Sequence, residues 1–153
     1  MKSGINIYSV SKLLDRSEID TLVEIWLEGS KTAHHFIEPS YWQNHAAAMK
    51  ETYIPQSETW LFRDNTGRIA GLVSLMDNYL AALFVHPQKQ GQGIGGKLMA
   101  KAKELKSELH LAVYAKNKSA VNFYQKSGFS IHETRIDPQT GEEELVMVWN
   151  KSV

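Results

Sequence analysis

The chain has no cysteine. This excludes disulfide bonds, a cysteine nucleophile and a cysteine-held metal, without fixing the compartment. It also has no net charge, since 17 Lys and Arg residues balance 17 Asp and Glu residues. A bulk electrostatic case for a nucleic-acid or other polyanionic partner is therefore missing. No stretch approaches the length of a membrane span. The segment Met1-Lys2-Ser3-Gly4-Ile5-Asn6 carries no apolar run of the signal-peptide kind. A cytoplasmic location with no membrane partner is the expectation. There is no internal repeat, low-complexity tract or linker. With 153 residues, 42% of them apolar and 22% charged, the chain reads as a single domain over 1–153 able to bury a real core. Monomer and homodimer are both open.

Glycine is concentrated instead of spread. The stretch from Leu80 to Leu98 reads L-A-A-L-F-V-H-P-Q-K-Q-G-Q-G-I-G-G-K-L, a strand, a glycine-rich turn and a helix start. Backbone N–H groups at a helix start lack intrahelical partners and sit at the positive end of the helix dipole. Glycines let a phosphate approach them closely. Three phosphate motifs compete for these letters. Gly91, Gly93 and Gly96 spell G-x-G-x-x-G, but a dinucleotide site wants the strand directly before it and an acid about 20 residues on. Here His86 to Gln90 intervenes, and the next strand ends without an acid. Gly91 to Lys97 spells G-x-x-x-x-G-K, but a P-loop needs Ser or Thr next, and Leu98 stands there. The third pattern, Q/R-x-x-G-x-G/A, is met by Gln90-Gly91-Gln92-Gly93-Ile94-Gly95. There the chain resembles the GNAT N-acetyltransferases, whose pyrophosphate loop has this form. The preceding L-F-V-x-P matches that family's lead-in.

Taken in order, Ile5 to Val10 reads as a short edge strand. Ser17 reads as the N-cap of a helix carrying Leu22, Val23, Trp26 and Leu27 on one face. A second helix spans roughly Tyr41 to Tyr53 and is expected to end before Pro55. Thr59 to Phe62, Ile69 to Leu75 and Tyr79 to Val85 form an antiparallel meander, with Asp64-Asn65-Thr66-Gly67 as turn chemistry. After the loop helix, His110 to Ala115 returns to the sheet and can pair parallel with Tyr79 to Val85. A short helix, Lys118 to Lys126, and the strands Phe129 to Glu133 and Leu145 to Trp149 complete a mixed α/β fold. The order β-α-α-β-β-β-α-β-α-β-β is that of the GNAT acyltransferases, with a central splayed sheet implied.

A second signature follows. Asn117 to Phe129 reads N-K-S-A-V-N-F-Y-Q-K-S-G-F and resembles the GNAT pattern N-x-x-A-x-x-F-Y-x-x-x-G-F. The Asn117 amide can serve peptide-like groups of a pantetheine arm, or it can cap the helix. Ala120 is small where a ligand would pass. Phe123 and Tyr124 can be core, or the Tyr124 phenol can give its proton to a leaving group. Gly128 is the expected helix stop.

The resemblance implies an acetyl-CoA-dependent N-acetyltransferase acting by direct attack of an amine on the thioester, with no metal. It assigns donor contacts to Leu83, Phe84 and Val85 on the strand, to Gln90, Gly91, Gln92, Gly93, Ile94, Gly95, Gly96 and Lys97 in the loop, and to Asn117, Ala120, Phe123 and Tyr124. Tyr124 is implied as the acid for the thiolate. Lys97 or Lys101 is placed for the nucleotide's remaining phosphate. Many relatives carry an acid on the strand before the loop, but this strand reads Y-L-A-A-L-F-V, with Ala81 and Ala82 where an acid would stand. Base duty then falls elsewhere or goes through water; the candidates are Asp77, just before the strand, and His34, whose position matches a histidine in a bacterial acetyltransferase subgroup with an S-x-x-A-H-x-F-I motif. The unperturbed histidine pKa of about 6.5 suits that task. His35, Asp77 and Tyr79 are placed at the acceptor side. The acceptor itself is not legible.

A different class of function, a non-catalytic acyl-CoA sensor or interaction module, draws support from the missing strand carboxylate and is opposed by Tyr124. A kinase-like nucleotide binder is opposed by Leu98. Replacing Gly93 or Gly95 by a bulky residue is expected to abolish acetyl-CoA binding in calorimetry while the fold survives. Wild-type affinity in such a variant would overturn the loop assignment.

Overall fold

The computed structural model of the protein describes residues 6–9 and 16–151. Strand β1 (Asn6–Ser9) leads to helices α1 (Arg16–Ala33) and α2 (Pro39–Ala48). A π turn at Met49–Tyr53 and a last helical turn, α3 (Ile54–Gln56), carry the chain to the meander β2 (Glu58–Arg63), β3 (Ile69–Met76) and β4 (Tyr79–Val85). Helix α4 (Ile94–Leu105), β5 (Glu108–Tyr114), α5 (Lys118–Lys126), β6 (Ser130–Ile136) and β7 (Glu143–Asn150) follow. The seven strands lie in the order β1-β2-β3-β4-β5-β7-β6. The expected element order and mixed sheet are therefore observed. Ile5 and Val10 of the expected first strand lie outside the described residues.

Two helix boundaries differ from expectation. Helix α1 already includes Arg16, so Ser17 sits in its first turn and its carbonyl accepts a hydrogen bond from the Thr21 hydroxyl at 3.0 Å. The second helix does not stop before Pro55. A proline inside a regular α-helix clashes with the carbonyl four residues back. Here the ladder widens first, with the Ile54 N–H bonding the Met49 carbonyl, and Pro55 enters as the start of a fresh turn. Ser57 ends it, its hydroxyl donating to the Tyr53 carbonyl at 2.6 Å.

Helices cover both faces of the sheet. On one face α4 buries Ile94, Leu98, Met99 and Ala102 against Leu109, Leu111, Val113 and Met147. On the other, α1 buries Leu22 and Ile25 against Leu61, Leu72 and Ala82, and Trp26 packs with Ile37 and Trp42. Each fully buried aliphatic side chain contributes roughly 1.5–3 kcal/mol. Among the described residues no helix is long and apolar enough to cross a membrane.

Two irregularities in β4 shape the interior. Ser74 pairs with Ala82 and Leu75 with Leu80, so Ala81 is an extra residue, a β-bulge. Leu80 consequently packs toward α4 while Ala82 packs toward α1. The second irregularity is that β4 and β5, the one parallel pair, keep register only at Tyr79 and His110. The His110 N–H donates to the Asn78 carbonyl at 3.0 Å, and beyond that point the strands part.

The α4 side of this gap depends on close packing at Gly71 of β3. A β-carbon there would lie 3.0 Å from the Phe84 carbonyl oxygen and 3.1 Å from Leu98 Cδ1. Gly71→Ala is expected to lower unfolding stability by about 1–3 kcal/mol, as overpacking does. A urea midpoint shift with unchanged slope is the measurement.

Candidate active site

The gap between β4 and β5 is the floor of a cleft of about 950 Å³. One end is the glycine loop. A short 3-10 turn, Pro87–Lys89, follows β4, and the chain then passes through Gly91 at φ 83° and Gly93 at φ 80°. Gly93 caps α4 in the left-handed conformation, which residues with a β-carbon rarely adopt. A β-carbon added at Gly91, Gly93 or Gly96 would meet nothing within 4 Å. The backbone thus faces open space with the first N–H groups of α4 behind it, a ready anion cradle. Gly95 differs, because a β-carbon there finds ordinary contact with Phe123 at 3.6 Å. Gly93 is the more sensitive of the two loop positions singled out by the sequence.

Most of the expected donor residues border this cleft: Leu83, Phe84, Val85 and Gln90 on one side, Asn117, Ala120, Phe123 and Tyr124 on the other, with Gly91, Gly93, Ile94, Gly95 and Gly96 at the end. The Gln90 side chain turns back and donates to the Val85 carbonyl at 3.2 Å, so it braces the loop. Gln92 and Lys97 do not line the cleft and are exposed, because the left-handed glycine on each side of Gln92 turns it outward and Lys97 lies on the outer face of α4. Lys101 is engaged elsewhere, 3.3 Å from Glu104 and 4.4 Å above the Trp60 ring. Asp77 is also displaced from its expected place. It occupies the exposed β3–β4 turn at φ 54° and lines no part of the cleft. Its side chain suits a hairpin turn that needs positive φ.

Tyr124 is set by the end of α5. The Gly128 N–H donates to the Gln125 carbonyl and the Phe129 N–H to the Tyr124 carbonyl, each at 3.0 Å. With Gly128 at φ 98° this is a Schellman stop. The Tyr124 and Phe129 rings close it at 5.8 Å. Burial, with Tyr79 nearby, pushes the Tyr124 phenol up to about 12. It therefore holds its proton at neutral pH. Its hydroxyl takes no hydrogen-bond partner among the described residues.

At the other end of the cleft, Asn117 performs two tasks. Its Oδ1 accepts from the Ala120 N–H at 3.3 Å, capping α5, and its Nδ2 faces His34 Nε2 at 3.2 Å. An amide nitrogen only donates, so Nε2 must accept and the ring is neutral. His34 is 8% exposed. It stacks on Trp42 at 4.9 Å and meets the edge of Tyr114 at 5.2 Å. Burial pushes its pKa down to about 4, and the Ser30 carbonyl opposes the shift only in part. That carbonyl already accepts the His34 backbone N–H at 2.9 Å, and His34 Nδ1 meets no partner at bonding geometry. The expected titration near 6.5 is thus corrected by the aromatic surroundings. Ser30 Oγ and Trp42 Nε1 are likewise buried without a partner among the described residues, at about 1–3 kcal/mol each. His35 and Tyr79 both border the cleft, His35 exposed and Tyr79 half-buried against His110.

The acid of the cleft has no signal in the sequence. Glu144 of β7 pairs in register with Tyr114 of β5 and lines the cleft. It is the one acid among the lining residues. Its Oε1 accepts from Arg135 Nε at 2.7 Å. Glu144 lies at the start of a strand in a run of three glutamates, and no local signal separates it from its neighbours.

The comparisons with known proteins agree with this geometry. The family model described as an acetyltransferase (GNAT) domain matches residues 21–145. The chain is 35% identical over 135 residues to the peptidyl-lysine N-acetyltransferase YiaC of Escherichia coli, covering 88% of this chain and 92% of the relative. In shape it is similar to the apo-form YjaB structure from Escherichia coli, with TM-score 0.81 and 24% identity over 95% of this chain and 97% of the other. The PaiA N-acetyltransferase of Thermoplasma acidophilum in complex with coenzyme A has TM-score 0.77 and 20% identity over 96% and 99% of the two chains. The gap between β4 and β5, the glycine cradle and the family match lead to one conclusion: the chain belongs to the GNAT acetyltransferases and transfers an acetyl group from acetyl-CoA to an amine.

Proposed function

We propose that the acceptor is the side-chain amine of a peptidyl lysine and that Tyr124 is the acid of the transfer. The continuity of the cleft carries this reading, since one cavity joins the loop at Gly91–Gly96 to Tyr124, Tyr79 and His34. The acceptor class is supported by the name of the 35% identical relative.

The backbone of β4 supports the donor geometry. The His86 N–H donates to the Ala70 carbonyl at 2.7 Å, across the β3 side. Strand alternation turns the Phe84 N–H the same way and leaves the Leu83 and Val85 N–H groups toward the gap. These two groups suit an amide-rich arm and a developing oxyanion. The amine nitrogen attacks the thioester carbonyl, the N–C bond forms, the C–S bond breaks, the thiolate takes the Tyr124 proton, and the proton that the nitrogen sheds on becoming an amide restores the phenol. The attacking amine must first be a free base. His34 suits that duty poorly as a side chain, since its Nε2 is held by Asn117 and burial weakens its basicity. Its support lies in holding Asn117, and through it the start of α5. The acyl-CoA-sensor reading is disfavoured by a protonated phenol with an unpartnered hydroxyl at the point where a thiolate would leave.

Tyr124→Phe is expected to lower kcat by about 10²–10⁴-fold, the span of general-acid effects, with the acetyl-CoA Kd unchanged. An unchanged kcat with chemistry rate-limiting would remove Tyr124 from the reaction. His34 gives a stability prediction. Its folded pKa lies below the unfolded value of about 6.5, so below that pH the unfolded chain binds the proton and the native chain does not. Stability is fully present above about pH 6.5 and falls toward pH 4, by on the order of 3 kcal/mol. Urea titrations across this window should show His34→Gln losing that part of the slope. An identical slope in variant and wild type would contradict the buried neutral ring.

A further inference from the structure

We infer that Glu144 is the carboxylate that receives the acceptor's ammonium group, replacing from β7 the acid that β4 lacks. The inference rests on the amine-acetylation reading above. The other ionisable side chains lining the cleft are His34, His35, Lys116 and Lys118, besides the phenols of Tyr79, Tyr114 and Tyr124. A cationic amine entering this mouth thus has one negative group to meet.

Three features fit Glu144 to that task. Its side chain is 15% exposed, so its charge is weakly screened and a hydrogen bond to it is strong. Its one hydrogen-bond contact from a side chain among the described residues is monodentate, Arg135 Nε on Oε1 at 2.7 Å. Oε2 has no such partner, and the residue lines the cleft. Finally, aromatic side chains stand near it. Tyr114 is its register partner, and its charge acts on Tyr79 and on Tyr41, opposing ionisation of both phenols. Aromatic faces beside a carboxylate recognise an alkylammonium by cation–π attraction as well as by charge. Arg135, half exposed on the edge strand β6, competes for the same carboxylate, so the acceptor's ammonium takes the lone pairs that Arg135 leaves free. Lys116 does not compete, being 3.2 Å from Glu142.

The test uses a lysine-containing peptide and acetyl-CoA. Glu144→Gln is expected to raise the peptide KM about 10- to 100-fold, the worth of a hydrogen bond to a charged group, with the acetyl-CoA Kd unchanged. Glu144→Asp, which keeps the charge, should recover part of the loss. Arg135→Gln, which frees the carboxylate, should leave the peptide KM unchanged or lower it. A Glu144→Gln enzyme with wild-type KM overturns the inference. So does a parallel loss of activity and thermal stability in Glu144→Gln and Arg135→Gln, which would make the pair a brace between β6 and β7. A wild-type enzyme that binds acetyl-CoA but acetylates no lysine peptide overturns the acceptor reading, and the inference with it. An active wild type with an indifferent Glu144 overturns the inference alone.

Discussion

The site depends on a parallel strand pair that is joined at one place only. A regular β4–β5 ladder would satisfy every backbone group along both strands. Here pairing ends after Tyr79 and His110, and the remaining backbone of β4 keeps donors and acceptors toward open space. Unpaired buried backbone is costly, so such a gap persists only where other packing enforces it. Helix α4 does so on one face, seated closely on β3 at Gly71, and α1 does so on the other, where Phe84 fills the space left by Gly29. Such a backbone edge suits a ligand with its own amide groups. The glycine cradle and the Schellman stop that sets Tyr124 stand at two sides of this opening.

The second constraint is dryness at the His34 end of the cleft. His34, Phe36, Trp42 and Tyr114 form a contiguous aromatic cluster. The cluster keeps a histidine neutral and leaves its Nδ1 without a partner. A dry wall strengthens every charge beside it.

Legibility in the sequence followed the range of the forces involved. The glycine loop, the cap at Asn117 and the stop at Gly128 were readable because local backbone geometry selects glycine and asparagine within a few residues. The meander was readable from its alternation and turns. The π turn before Pro55 was not, since a proline ordinarily ends a helix and only the neighbouring packing keeps this one going. Strand β6 is exposed along its whole length, so it has no period-two apolar signal, and its extent was read short. The neutral state of His34 depends on rings contributed by α2 and β5. Glu144 reaches the cleft through a strand register spanning some thirty residues, which no local pattern encodes. Asp77 is next to β4 in sequence, yet it occupies the turn itself and lies outside the cleft lining.

The β6–β7 hairpin is tied down at two points, with the Tyr114 hydroxyl donating to Asp137 at 2.6 Å and the Tyr41 hydroxyl to Gln139 at 2.9 Å. The two bonds tie the hairpin tip to helix α2 and to strand β5. Swinging the tip away costs both bonds, about 2–4 kcal/mol with one of them to a carboxylate. Two tyrosine hydroxyls, one from α2 and one from β5, thereby fix the place of the hairpin that carries Glu144.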